Sequence, residues 1–148
     1  MVGIKPVTKE RGTAMKKVLI VDDDPDIVEA MRMVLEVQNL EVHSAINGTE
    51  GLRKVKEINP DLTILDVMMD VLTEGLQVAW RLKNAEPGTE YAPFSKIPIL
   101  MLTSLTKRGY MDFNPEKDKE SLPAEVFLEK PVPPELLIEK VQSLLKMA

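Results

Sequence analysis

Lys17 to Val28 reads KVLIVDDDPDIV, an apolar run followed by three consecutive aspartates and a proline. The run has the length and branched content of a strand, whereas Asp24-Pro25 has the form of a helix start. There the aspartate can accept a backbone N–H, and the proline sits where its missing donor costs nothing. The same punctuation recurs along the chain: Leu62-Thr-Ile-Leu65 ends on Asp66, Ile97 to Leu102 on Thr103-Ser104, and Val126 to Leu128 on Glu129-Lys130. Ligand sites in open α/β sheets lie just outside the carboxyl ends of the strands, so the four endings converge if the runs are parallel neighbours. Carboxylates, a hydroxyl and an ammonium would then share one spot.

Outward from Asp24, residues Ile27, Met31, Val34, Leu35 and Gln38 follow at helical spacing, and Leu40 to Ala45 forms a second strand. Asn47 with Glu50 resembles a capping box, opening a helix with Leu52, Val55 and Ile58 on its apolar side, and Asn59-Pro60 ends it. Asp61 to Leu65 is nearly unbroken apolar sequence, as expected of a central parallel strand covered on both faces. Thr73 can cap a third helix bearing Leu76, Ala79, Trp80 and Lys83; Ala85 to Lys96 reads as a long loop, and Ile97 to Leu102 as the fourth strand. Between Leu105 and Ala124, Asn114-Pro115, Pro123 and the charged run Glu116 to Glu120 predict a short or irregular helix. Val126 to Leu128 is a brief fifth strand, and Pro133-Pro134 opens a final helix with Leu137, Val141, Leu144 and Leu145 inward. Five strands alternating with four or five helices predict an α/β fold, a three-layer doubly wound parallel sheet.

The 148 residues suit one domain with a core of its own, and 44% hydrophobic with 29% charged residues is ordinary for a globular chain. Without cysteine, neither a disulfide framework nor a thiolate metal site is available. No stretch has the length of a membrane span and the N-terminus lacks the apolar core of a signal peptide, so a cytoplasmic location without membrane contact is expected. A net charge of −5 with scattered basic residues argues against direct DNA binding, leaving output to another protein. Residues 1–15, aperiodic and of mixed charge, read as a flexible N-terminal extension, and residues 16–148 as the folded domain.

A carboxylate can attack a phosphoryl group to give an aspartyl-phosphate, but both partners are anionic. A divalent ion bridging the two removes that repulsion, and Mg²⁺ prefers carboxylates, a carbonyl and waters. Asp22 and Asp23 at one strand end, with Asp66 at another, are candidate ligands for Mg²⁺ or Mn²⁺. Three clustered carboxylates repel one another, so metal should stabilise the fold. Lys130 offers the phosphoryl oxygens a positive partner and Thr103 a hydroxyl donor. Taken singly, Asp66 could be a turn carboxylate, Thr103 a loop hydroxyl and Lys130 a surface charge; their joint placement at strand ends favours the chemical reading.

The segments KVLIVDDDPDIV (17–28), PDLTILDVMM (60–69), IPILMLTS (97–104) and FLEKPV (127–132), in this order and spacing, resemble the response-regulator receiver domain of two-component signalling. The likeness is to single-domain, chemotaxis-regulator-like receivers. It implies a flavodoxin-like sheet of strand order 2-1-3-4-5. It also implies a stand-alone regulator taking a phosphoryl group onto Asp66 from the phosphohistidine of a sensor histidine kinase or phosphotransfer protein. Such a chain is not an enzyme beyond catalysing its own phosphorylation and dephosphorylation. By the same resemblance, Mg²⁺ is held by Asp22, Asp23, Asp66 and the Met68 backbone carbonyl. Thr103 swings toward the phosphoryl group, Lys130 pairs with it, Lys130-Pro131 is cis, and Phe127 is the switch aromatic. Phe127 lacks a tyrosine's hydroxyl, leaving packing as its readout. A downstream protein target is implied, with homodimer formation on phosphorylation left open.

The turn Met69 to Gly75 is one residue longer than the family's usual Met-Pro-Gly-Met-Asp-Gly type and lacks its proline; Asp70 reads as a turn residue. The stretch from Thr103 to Lys130 is also longer than usual. Two other readings stand beside the receiver. A haloacid-dehalogenase-like phosphatase would use Asp22-x-Asp24, Thr103 and Lys130, but leaves Asp66 without a role. A phosphorylation-independent binding module would be favoured by a depleted acidic site. His43 reads as a surface residue and Trp80 as packing. Met68 and Leu105 are apolar where side chains flank the phosphoryl group and its attacking water, so slow autodephosphorylation is expected. Met68→Asn or Leu105→Glu should speed decay of the aspartyl-phosphate, and an unchanged decay rate in both refutes this.

Overall fold

The computed structural model describes residues 15–67, 74–104 and 124–147. The expected extension apart from Met15, together with Met68, Asp70, Thr73 and the stretch Leu105 to Pro123, lies outside the described residues. The elements are β1 (Lys17–Val21), α1 (Pro25–Glu36), β2 (Glu41–Ala45), α2 (Gly48–Ile58), β3 (Leu62–Asp66), α3 (Glu74–Lys83), a 3₁₀ turn (Ala92–Phe94), β4 (Ile99–Ser104), β5 (Val126–Lys130) and α4 (Pro134–Met147). The five strands are all parallel in the order β2-β1-β3-β4-β5. This is the doubly wound sheet expected from the strand and helix pattern, in the flavodoxin-like order that the family resemblance implies.

Local chemistry sets the helix ends. The Asp24 carboxylate accepts the Asp26 N–H at 3.0 Å, capping α1 ahead of Pro25. Asn47 Oδ1 accepts the Glu50 N–H at 2.8 Å, and Glu50 reaches back to the N–H of Ile46, also at 2.8 Å. A cap of this kind contributes about 1 kcal/mol. Helix α2 stops at Asn59, whose left-handed backbone (φ 51°) is one an asparagine tolerates before Pro60.

Strand alternation divides the core in two. Val18, Ile20, Ile64 and Leu100 pack beneath α1 and α4, while Leu19, Val21, Leu65 and Met101 pack beneath α2 and α3. Covered on both faces, the central strands β1, β3 and β4 bury nearly every described residue, which explains their continuous apolar runs, whereas the edge strands β2 and β5 are only partly buried.

Three details depart from the sequence reading. β4 begins at Ile99 rather than Ile97, because Ile97 N–H is taken by Phe94 O (3.3 Å) at the end of the 3₁₀ turn and Pro98 has no donor. The strand then runs on through Thr103 and Ser104. The loop from Ala85 is partly ordered by that turn, whose Tyr91 and Phe94 rings meet edge-on at 6.4 Å, with Lys56 and Arg81 over the Tyr91 ring. Trp80, expected in the core, is 40% exposed.

Two cationic side chains meet the outer edge of β2. Glu41 and Ala45 bond to the β1 side, which turns the carbonyls of Val42 and Ser44 outward. Arg32 Nη1 donates to Val42 O at 2.8 Å and Lys54 Nζ to Ser44 O at 2.5 Å. At the amino ends of β4 and β5, Lys83 Nζ donates to Ile97 O (2.9 Å) and Glu125 Oε2 (2.7 Å), while Glu125 Oε1 accepts the Ile99 N–H at 2.8 Å.

Thr63 Oγ1 is fully buried in β3 without a hydrogen-bond partner among the described residues. Replacing a stranded hydroxyl by a methyl of similar shape removes its desolvation penalty and suits a strand. Thr63→Val should stabilise the fold by about 1 kcal/mol, read as a higher denaturation midpoint with an unchanged denaturant slope.

Candidate functional site

The carboxyl ends of β1, β3 and β5 bring four of the expected groups together. Asp22 follows β1, its N–H held by Ala45 O at 3.0 Å, and Asp66 is the last residue of β3. Alternation aims Asp22, Asp66 and Lys130 toward the α1/α4 face. Lys130 Nζ lies 3.1 Å from Asp22 Oδ2 and 3.3 Å from Asp66 Oδ1. One oxygen each from Asp22, Asp23 and Asp66 lie within 4.8 Å of one another. Asp22 and Asp66 are buried, and Asp23 is half-buried.

Lys130 is the electrostatic counterweight of the cluster. Its burial alone would favour the neutral amine, but attraction to Asp66 and Asp22, with hydrogen bonds to both, outweighs that and holds its pKa above the usual lysine value. It stays a cation and offsets one of three carboxylates. The remaining charge and the all-oxygen donor set suit a hard divalent cation such as Mg²⁺ or Mn²⁺ rather than a thiophilic metal.

Asp22 has a second, local duty absent from the sequence reading: its Oδ1 accepts the Asp24 N–H at 2.9 Å. Both of its oxygens are thus engaged, one by the chain and one by Lys130. The Lys130-Pro131 peptide is cis.

The cluster forms one end of a cavity of about 540 Å³, whose remaining wall includes Ile27, Ala30, Met31, Leu102, Pro131 and Val132. The sequence reading gives Ile27 and Met31 only as part of a helical repeat; their position in the first two turns after the aspartates is the signal that they border the site. Thr103 is not in this wall. It is buried in β4 one residue beyond Leu102, the register partner of Asp66, and alternation puts it on the α2/α3 face. Phe127 shares that face, packed against the core beneath α2 and α3. His43 stands apart, half-buried and paired with Glu41. Met68 and Leu105 lie outside the described residues.

The family pattern of the response regulator receiver domain matches residues 18–142. The chain belongs to this family. Curated relatives of this receiver include the DNA-binding dual master transcriptional regulator RpaA of Synechocystis, 31% identical over 89% of the chain and 50% of that protein. The alkaline phosphatase synthesis transcriptional regulatory protein PhoP of Bacillus subtilis is 32% identical over 88% of the chain and 49% of its own length. The chain therefore spans about half the length of the curated relatives it matches. Among solved structures, the receiver resembles the chemotaxis response regulator CheY4 of Vibrio cholerae, with a TM-score of 0.71 and 30% identity, covering 88% of this chain and 99% of that one. It also resembles a CheY-like receiver domain protein of Methanospirillum hungatei, with a TM-score of 0.71 and 27% identity over 90% and 96% of the two chains. Receiver domains are phosphoacceptor signalling domains that bind Mg²⁺ through acidic residues, and the aspartate cluster could hold such an ion. No helix among the described residues is long and apolar enough to cross a membrane.

Relief of carboxylate repulsion is measurable without any phosphodonor. Mg²⁺ at about a hundredfold excess over its Kd should stabilise this receiver by about 2.7 kcal/mol. Chelation should reverse the gain, and Asp23→Asn should lose most of it in the same thermal melts.

Proposed function

We propose that this receiver accepts a phosphoryl group on Asp66 from the phosphohistidine of a sensor histidine kinase or phosphotransfer protein. It would then signal to a downstream protein through a phosphorylation-dependent change of surface. The observation that carries the reading is the Lys130 ammonium set between Asp22 and Asp66 at the carboxyl ends of parallel strands. We assign the nucleophile to Asp66 rather than Asp22, because the Lys130 ammonium lies 3.3 Å from its carboxylate and a nucleophilic Asp22 would leave Asp66 without a role.

In the transfer, an Asp66 carboxylate oxygen forms a bond to phosphorus while the phosphorus–nitrogen bond breaks. The electron pair leaves on the imidazole, which is protonated. Lys130 orients and neutralises phosphoryl oxygens, and Asp22, by holding Lys130 and the Asp24 N–H, keeps it aimed. Mg²⁺ or Mn²⁺ held by Asp22, Asp23, Asp66 and the Met68 carbonyl would supply the positive charge that lets two anions approach. The same groups would catalyse hydrolysis of the aspartyl-phosphate.

For the output, the α2/α3 face carries both Thr103 and Phe127. Recruitment of the Thr103 hydroxyl to the phosphoryl group would leave a space that Phe127 can answer by repacking. A regulator whose phosphorylated form pairs with a second copy fits the same device. The names of several relatives describe DNA binding by those proteins; for this chain, with its net charge of −5, we assign the output to protein contact.

Incubation with acetyl phosphate and Mg²⁺ should add one phosphoryl group by mass, located on Asp66 and absent in Asp66→Asn. Lys130→Met should slow the uptake by roughly 10²-fold, the scale for loss of one charge-stabilising donor. Label on Asp22 would instead support a phosphatase-type nucleophile. Absence of labelling, of Mg²⁺ binding and of any change with beryllofluoride would support a phosphorylation-independent binding module.

A further inference from the structure

We propose that Gly75 is a positioning residue for Asp66, its bare Cα setting where the acceptor's backbone can lie. The inference rests on Asp66 being the phosphoacceptor. Gly75 is buried in the first turn of α3, directly over the carboxyl end of β3, and its N–H donates to Val67 O at 3.2 Å. A Cβ on Gly75 would lie 2.0 Å from the Asp66 carbonyl oxygen, 2.8 Å from its carbonyl carbon and 3.0 Å from Val67 Cα. All three are backbone atoms, and none can turn aside as a side chain does. Gly51 in α2 differs in kind, because its added methyl would meet only the branch tips of Val21 at 3.0 and 3.1 Å.

Relief of the contact at Gly75 requires either α3 to lift or the peptide between Asp66 and Val67 to rotate. That peptide is pinned on its other side, where Val67 N–H donates to Leu102 O at 2.9 Å. Rotation therefore acts on Asp66 itself and tilts its carboxylate within a site whose contacts to Lys130 are already at hydrogen-bonding length. The close approach of helix to strand thus fixes the nucleophile from behind, while Lys130 fixes it from the front.

The test compares full-length wild type, Gly75→Ala and Leu144→Ala, the last a core substitution beneath α4 that matches a general loss of stability. With acetyl phosphate and Mg²⁺, Gly75→Ala should lower the maximal rate of Asp66 phosphorylation by about 100-fold, the scale of a misplacement near 1 Å. Half-saturation by acetyl phosphate should stay within about threefold, because Lys130 and Asp22 still meet the donor. Leu144→Ala should keep the maximal rate within about threefold. The Asp66 carboxyl carbon and Val67 amide resonances should move in Gly75→Ala and hold in Leu144→Ala. A wild-type rate in Gly75→Ala overturns the inference, as does an equal loss in Leu144→Ala. Absence of any folded Gly75→Ala, even with a stabilising osmolyte, also overturns it by making the glycine a requirement of folding alone. Failure of the wild type to label on Asp66 would count against the proposed function instead.

Discussion

The contact of Lys130 with Asp22 and Asp66 is the constraint on which the site depends. From the end of β5 the ammonium must pass over the end of β4 to reach β3 and β1, two and three strand spacings away, roughly 10 and 14 Å, which a long lysine bridges only because the aspartate side chains reach toward it. Burying carboxylates without a partner costs several kcal/mol, so the strand ends are held in register by charge as well as by the ladder. Removing the lysine would leave two buried anions with less to oppose them. Conversely, the one lysine does not neutralise three aspartates, and this residual imbalance makes the cluster receptive to a cation.

The sheet separates the proposed chemistry from its proposed readout. Asp22, Asp66 and Lys130 belong to the α1/α4 face, while Thr103 and Phe127 belong to the α2/α3 face. A phosphoryl group at Asp66 would sit at the rim where the two faces meet, since β4 ends two residues past the register of Asp66. A hydroxyl drawn over that rim would leave a gap on the far side. Close-packed cores respond to such a gap by discrete repacking rather than by smooth deformation.

Much of this was legible in the sequence because the signals were local and coincident. Four apolar runs each ended on a polar group, Asp24-Pro25 and Asn47-x-x-Glu50 marked helix starts, and Asn59-Pro60 marked a stop; all are found where short-range hydrogen bonding dictates. What was not legible depended on distant partners. The start of β4 moved because a 3₁₀ turn claimed Ile97, Asp22 acquired a duty to its own backbone, and Trp80 faces outward although its helix is amphipathic. Gly75 closes the stretch that resembles the family's turn, but the sequence does not say why a glycine stands there. Its importance is visible only when the carbonyl it faces is located.

The two cations on the outer margin of β2 bear on how this molecule meets others. A parallel sheet exposes unsatisfied acceptors along its terminal strand, and these invite a foreign strand to extend it. Here Arg32 and Lys54 already occupy the two outward carbonyls, so a newcomer would have to displace two charged donors before gaining a bond. Association by sheet extension is therefore penalised along β2, which reserves partner exchange for helical faces and for the strand at the other end. A receiver, which must meet its phosphodonor and let it go, gains from such reticence, because its contacts can form and dissolve without nucleating a continuous ribbon.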